Sequence, residues 1–455
     1  MGESSPFTAA IAPGGLPVLG HALQLQRRPL EFLASLPAHG DVVTLRFGPV
    51  PVYLVCHPEL ARRVLQDGRT FDKGGLVFDK AKVFLGNGLA TCPRADHRRQ
   101  RRLVQPAFHP DRITAYTEVV LRETTRMMEG WQPGQAVEIR AQMHRLSAQI
   151  TARTLLSTDF GGADANELAS CMAIVSKGLY RQMLMPVAAL QRLPTPANRR
   201  FHQALARLRA LISRVVADYR RHPGDRGDLL SALLAARDED SGATLDDQEI
   251  HDQVLTLMGA GSETSGNALA WTFHYLGTHP DVETRLHAEL DAVLAGRAPH
   301  IGDLPQLDVV RRAFTETLRL RPPGWLATRI TTTATELAGR PIPAGANVAV
   351  SHYALHHDRR WFPHPEHFDP DRWLPERAHR VPRGAMIPFG AGSRKCIGDT
   401  LALTSAALVM AAIANRWRLG HQPGPTLRAV PRMTLGLSPL HMLLTPRPGS
   451  PSASD

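Results

Sequence analysis

One stretch limits the possible folds more than any other. Across residues 243–279, apolar side chains recur at helical spacing, first Val254, Leu255, Leu257 and Met258, then Leu269, Trp271, Phe273 and Leu276. Thr244-Leu245-Asp246-Asp247 supplies an N-terminal cap with acids in the first turn, and Pro280 closes the run. About 30 residues rising 1.5 Å each span roughly 45 Å, the width of a whole domain, so the rest of the chain has to pack around this helix. Its middle is out of character. Gly259-Ala260-Gly261-Ser262-Glu263-Thr264-Ser265-Gly266-Asn267 sets glycines, each costing about 1 kcal/mol against alanine, beside a glutamate and a threonine that need partners if buried. The residues alone allow a kinked helix with a wet side, or a local groove that admits a small ligand.

Further helices are expected over residues 115–219, broken between Met185-Pro186 and Pro194-Thr195-Pro196, and over residues 307–320 and 399–417. The apolar Met183, Leu184, Met185, Val187 and Leu190 at that break suit a lid or ordinary core equally. Short strands are expected at Val42–Phe47 and residues 52–56, joined by Gly48-Pro49-Val50-Pro51, and within residues 327–350 around Pro341-Ile342-Pro343-Ala344-Gly345. Residues 74–93 show no clear period and are expected to be irregular. The fold class is therefore mainly α with small β-sheets. No flexible linker divides residues 1–455, which are expected to form one large domain with tails at 1–12 and 447–455.

Composition narrows the partners. The chain is 43% apolar, ample for a large core, and carries a formal charge of +11 with lysine only at positions 73, 80, 82, 177 and 395. A basic balance fits nucleic acid, anionic lipid or an acidic protein. No helix-turn-helix, RNA-binding or zinc-finger pattern accompanies it, which favours the acidic protein. No apolar run reaches about 18 residues, so no membrane span is expected. The first twelve residues lack a basic segment and a long apolar core, so no secretory leader is expected either. Cys56, Cys92, Cys171 and Cys396 are widely spaced, which argues against a disulfide framework or structural zinc and suits a reducing cytoplasm.

Cys396 differs from the other three. It ends the glycine-punctuated loop Phe389-Gly390-Ala391-Gly392-Ser393-Arg394-Lys395-Cys396-Ile397-Gly398, just before the apolar run 399–417. A thiolate at that turn gains from the helix dipole and from free backbone N–H groups. Arg394 can meet an anionic group of whatever the sulfur binds, and Phe389 can cover the loop. Taken singly, Cys396 also reads as one more buried thiol.

Other spacings allow two readings each. His97 and Arg101 share a helix face and can clamp carboxylates, or can belong to a solvated arginine-rich face running to Arg102. Glu316 and Arg319 lie three apart on one helix and are either an exposed pair or part of a buried cluster with Arg372. His352, His356, His357, His364 and His367 lack metal-ligand spacing and read as polar loop residues.

Together these stretches resemble the cytochrome P450 family over nearly the whole chain. Phe389-x-x-Gly392-x-Arg394-x-Cys396-x-Gly398 is similar to its haem-thiolate loop. His97-x-x-x-Arg101 is similar to its C helix, Ala260-Gly261-x-Glu263-Thr264-Ser265 to the oxygen-binding groove of its I helix, and Glu316-x-x-Arg319 with Arg372 to its structural triad. The stretch 357–359, His-Asp-Arg, departs from the more frequent Arg-Asp-Pro. Resemblance to bacterial members that oxidise sesquiterpenes extends through residues 192–201 and Glu376-Arg377.

The resemblance implies the cytochrome P450 fold, with a long central helix over a buried haem b. It implies a monooxygenase that hydroxylates an apolar small molecule, a sesquiterpene for instance, using O2. Cys396 would be the axial ligand of the iron. His97, Arg101, Arg329, Arg394, Phe389 and Gly398 would hold the cofactor, and Ala260, Gly261, Glu263 and Thr264 would handle oxygen and protons. Glu316, Arg319 and Arg372 would be structural. Leu76, Phe78, Leu257, Trp325, Leu326 and Leu440 would line an apolar substrate pocket. With no flavin or iron–sulfur motif in the chain, electrons would come from an acidic ferredoxin and its reductase. That donor would dock around Arg394, Lys395, Arg98, Arg99 and Arg102 of a cytoplasmic monomer. The competing readings are a haem-thiolate peroxygenase or isomerase and, outside enzymes, a haem sensor or nucleic-acid-binding protein using the arginines at 98–102.

Overall fold

Residues 6–156, 162–184, 193–238, 240, 242–424 and 426–448 are described by the computed structural model. Their backbone sorts into two units, each built from separated stretches of chain.

The larger unit takes residues 80–314 and 397–455 and is mostly helical. Its helices include α1 (Arg94–Val104), α2 (Ile139–Leu156), α3 (Gly162–Leu184), α4 (Asp247–Thr278), the start of α5 (Asp308–Leu320) and α6 (Asp399–Arg416). The long helix expected from the sequence is α4. Asp246 caps it by accepting from Glu249 N at 2.7 Å, and the Glu249 carboxylate accepts from Asp246 N at 3.1 Å, so two end donors are satisfied reciprocally. The helix is continuous through Gly259, Gly261 and Gly266.

Those glycines serve packing. A Cβ on Gly261 would lie 3.0 Å from Thr151 Oγ1, and one on Gly266 would lie 2.8 Å from His144 Cδ2, both on α2. Without side chains there, α2 packs more extensively on α4 than any other element does. The core beneath includes Leu103, Leu155, Leu208, Ile212, Val254 and Leu255. The apolar run after the cysteine loop is α6, with Leu408, Val409, Met410, Ala411 and Ile413 buried. A three-stranded sheet places His441–Pro446 between Trp417–His421 and Ala136–Glu138, and a hairpin pairs Ala429–Pro431 with Leu435–Leu437.

The smaller unit takes residues 1–79 and 315–396. Its six-stranded sheet contains β1 (Ala9–Ile11), β2 (Val42–Phe47), β3 (Val50–Val55), β4 (Phe71–Asp72), β5 (Ala327–Thr331) and β6 (Asn347–Val350), in the order β1-β2-β3-β6-β5-β4. The β2–β3 turn is tighter than expected. Phe47 pairs with Val50, leaving only Gly48 and Pro49 outside the ladder, and Gly48 takes a φ of 61° that favours glycine. Val42, Val55, Val64, Phe71, Val348 and Val350 form the core on one part of this sheet.

Several sequence expectations need correction. Part of the expected 1–12 tail is ordered, because Ala9–Ile11 pair in parallel with Val42, Val43 and Thr44. Part of the irregular stretch is the helix Leu76–Leu85, hidden because its apolar residues follow no clear period. His352, His356 and His357 are buried on or beside the helix His352–His356 rather than in a loop. The lid candidates Met185, Val187 and Leu190, and the side chains of Met183 and Leu184, lie outside the described residues.

Candidate active site

Cys396 is exposed, whereas Cys56, Cys92 and Cys171 are buried. Its backbone N–H donates to Phe389 O at 2.9 Å, closing the loop on itself, and Lys395 N–H donates to Gly392 O at 3.1 Å. Gly390 and Gly392 both have φ of 71°. A Cβ at Gly392 would lie 2.4 Å from Leu65 O, so glycine is required there on two counts. The loop therefore rests against the end of the helix Pro58–Gln66, and Gly398 follows as the N-terminal cap of α6. The bland reading of Cys396 as one more buried thiol fails on exposure alone.

Arg394 is nearly buried and donates to Asp72 Oδ1 at 2.9 Å, a partner the sequence did not point to. Arg329 is 5% exposed and donates to Thr328 O at 2.8 Å. Among the described residues no carboxylate lies within ion-pair distance of it. Burial, then the charge of Arg394, pushes the Arg329 guanidinium down to about 10, with Asp72 opposing. Arg394 pairs with Asp72, and Arg329 feels the charges of both at a distance, an arrangement rich in buried positive charge. It suits a ligand that brings its own carboxylate, as haem does.

Glu316 is fully buried and accepts from every side. Arg319 donates through Nε at 2.9 Å and Nη2 at 2.8 Å, Arg372 through Nε at 3.5 Å, Trp373 Nε1 at 2.9 Å and Asp369 N at 3.2 Å. Arg319 also donates to His356 O at 2.9 Å, Pro365 O at 2.8 Å and His367 O at 3.1 Å. The exposed-pair reading is excluded. Such a cluster holds because nearly every donor and acceptor is satisfied, and it ties α5 to the chain leading into the cysteine loop. Trp373 was the member missed from the sequence.

In the larger unit, α1 carries His97, 5% exposed, and the half-buried Arg101 on one face. The solvated arginine face is only partly real. Arg99 pairs with Glu249, and Arg102 pairs with Asp238 at 2.8 Å and also with Asp240. Arg98 is exposed.

On α4, Ala260 is exposed and Thr264 half-buried, whereas residues 252–258 and 266–273 are buried. Thr264 Oγ1 donates to Ala260 O at 2.5 Å. Ala260 is thus the most accessible residue at this level, with Gly259, Gly261, Glu263, Thr264 and Ser265 half-buried, and a Cβ on Gly261 would meet Thr151. Glu263 accepts from Ser176 Oγ and, at 2.7 Å, from Thr434 Oγ1. Neither partner was foreseen.

Of the substrate-pocket candidates, Trp325 and Leu326 are half-buried against a core cluster of the smaller unit, and Phe78 lies under Lys73 Nζ at 5.4 Å. Leu257 and Leu440 are buried in the larger unit, Leu257 within its main core. The Leu76 side chain lies outside the described residues. Among the described residues, no group of three or more His, Cys, Asp or Glu is arranged to hold a metal ion, and no helix is long and apolar enough to cross a membrane.

Comparison with known proteins agrees with this geometry. The family described as Cytochrome P450 matches residues 12–445. Cyclooctatin synthase of Streptomyces melanosporofaciens is 54% identical, covering 96% of this chain and 95% of its own. Cyclooctat-9-en-7-ol 5-monooxygenase of the same organism is 52% identical over 97% and 96%. Pentalenene oxygenase of Streptomyces avermitilis is 44% identical over 94% and 95%.

Proposed function

The chain belongs to the cytochrome P450 family of haem-iron monooxygenases, and from that premise we propose that it hydroxylates a cyclic terpene. The names of its relatives support the substrate class, spanning a terpene hydrocarbon and a cyclic alkenol. The cofactor is haem b, which when bound supplies reductive activation of O2. The enzyme is a single-domain cytoplasmic monomer.

The protein's own contributions follow from its residues. Cys396, an exposed residue, would ligate the iron from a loop that its glycines and the Phe389 carbonyl hold in shape. Arg329 and Arg394 would hold one propionate, and His97 and Arg101 would hold the other. Phe389 and Gly398 flank the sulfur. Thr264 Oγ1 turns its proton from Ala260 O toward the oxygen side, and Glu263 replenishes it through water. Ala260 leaves space for the gas, and Gly261 keeps α4 close to α2. The apolar candidates Leu76, Phe78, Leu257, Trp325, Leu326 and Leu440 orient substrate by shape.

An acidic ferredoxin, itself reduced by its reductase, delivers the electrons. The docking surface must be smaller than the sequence implied, because Arg394, Arg99 and Arg102 are committed to acids of this chain. Arg98 and Lys395 are both exposed.

The observation that carries the reading is the exposed Cys396 in its braced loop. The test is the absorption spectrum of the reduced protein under carbon monoxide. The red-displaced Soret band of a thiolate complex is expected and should vanish in Cys396→Ala. Its absence from the unaltered protein overturns the reading. Titration of the ferric protein with cyclic terpenes should then shift the iron toward high spin, and failure across that class removes the substrate assignment alone.

A further inference from the structure

Glu263 is held by more than its own helix. Its Oε1 accepts from Thr434 Oγ1 at 2.7 Å, at the turn between Ala429–Pro431 and Leu435–Leu437. Thr434 Oγ1 in turn accepts from Asn267 Nδ2 at 2.9 Å, one turn along α4. Asn267 Oδ1 accepts from His144 Nε2 at 2.8 Å, on α2. Every donor in this chain points the same way, from His144 through Asn267 and Thr434 to the carboxylate. Asn267 is 2% exposed, so the middle of the chain is shielded from competing water, while Thr434 and Glu263 are half-buried.

Two glycines make room for it. Gly266 lets the His144 backbone and ring approach α4, where a Cβ would lie 2.9 Å from His144 Cα. Gly436 lets the hairpin approach Asn267, where a Cβ would lie 3.1 Å from Oδ1. The other carboxylate oxygen, Oε2, has one described partner, the Ser176 hydroxyl on α3. The two oxygens are therefore held unequally. One ends a chain of three side chains rooted on three elements, and the other meets a single hydroxyl.

We propose that Thr434, Asn267 and His144 are positioning residues that fix Glu263 Oε1, leaving Oε2 as the oxygen that exchanges Ser176 for water and moves protons. This rests on the reading of Glu263 as a proton-relay group. None of the three needs to meet substrate or cofactor. They act by keeping one carboxylate oxygen still while the other turns over its partner, so proton delivery depends on a hairpin far from Glu263 in sequence.

The experiment compares Thr434→Val, Thr434→Ser and Glu263→Gln in the haem-loaded protein with a turnover substrate. Two quantities are read, product formed per electron pair consumed and the infrared carboxylate band that Glu263→Gln removes. Thr434→Val is expected to lower coupled turnover about tenfold, the effect of one lost hydrogen bond to a charged group, and to move the infrared band. Thr434→Ser should restore both, because it keeps the hydroxyl; a merely structural role for the methyl group would not be rescued this way. Asn267→Leu should reproduce the valine phenotype with Thr434 intact. If Glu263→Gln uncouples turnover while Thr434→Val neither uncouples nor moves the band, the positioning chain is wrong and the relay stands. If Glu263→Gln itself leaves coupling intact, the relay reading falls first and takes the proposal with it.

Discussion

At the scale of single residues, the Glu316 cluster shows how a charge survives without water. Its carboxylate neutralises one of two buried guanidiniums and satisfies donors from Trp373 and the Asp369 backbone. Glu316→Gln keeps the shape and removes the charge, leaving Arg319 and Arg372 facing each other unneutralised. We expect a loss of about 3–5 kcal/mol, read as a lower midpoint in chemical denaturation and reduced haem retention. Gly392→Ala should fail differently. Its φ of 71° and the Leu65 carbonyl 2.4 Å from any Cβ force the loop to shift, so the thiolate band should weaken before global stability falls. Residues that share one helix face by spacing, such as His97 with Arg101 and Glu316 with Arg319, were legible in the sequence. Partners that only folding brings together were not. Asp72 lies 322 positions from Arg394, and Thr434 lies 171 from Glu263. No local pattern encodes such pairs.

At the scale of elements, the glycines of α4 have a use that helix propensity hides. Each weakens the helix by about 1 kcal/mol, and in return α2 seats against it without intervening side chains. Gly266→Ala should therefore strengthen α4 in isolation yet destabilise the protein, by about 1–3 kcal/mol for an overpacked contact. Thermal denaturation monitored by circular dichroism would show the sign. A rise in midpoint would mean that α2 yields easily and that His144 is not held as described. The long helix, its cap and its end were readable because apolar period, capping acids and the following proline agree. The helix Leu76–Leu85 was not, since its composition follows no single face. β1 escaped notice because three residues are too few to show alternation.

At the scale of the whole molecule, charge and acidity are where the sequence misled most. Three of the arginines assigned to a partner surface are engaged within their own units. Arg98→Glu should slow reduction by an acidic ferredoxin most at low salt, where screening is weakest, without changing substrate affinity. Arg102→Glu should instead lower stability, because it sets a third acid beside Asp238 and Asp240. Stopped-flow reduction and thermal melts separate the two. The buried histidines set the acid limit. Burial, followed by Arg329, holds His352 at about 4; burial, followed by Arg319 and Arg321, holds His357 at about 3; and burial, followed by His352, His357 and Arg319, holds His356 well below 6.5. Their folded values lie below the unfolded one, so the folded state is favoured in full above about 6.5. That advantage drains away as pH falls toward 4, by up to about 1.4 kcal/mol per pH unit for each histidine. Melting temperatures between pH 7 and 5 should fall accordingly, and a flat profile would mean that these rings protonate freely in place. The strand order of the smaller sheet carries one more consequence. β3 finds its parallel neighbour only when Asn347 pairs with Val52, roughly 300 residues later on the nascent chain. At ribosomal speeds of about 5–20 residues per second, the first hairpin waits some 15–60 s with one edge bare. Heterologous yield should accordingly respond to chaperone supply during synthesis, even for a chain whose finished form is stable.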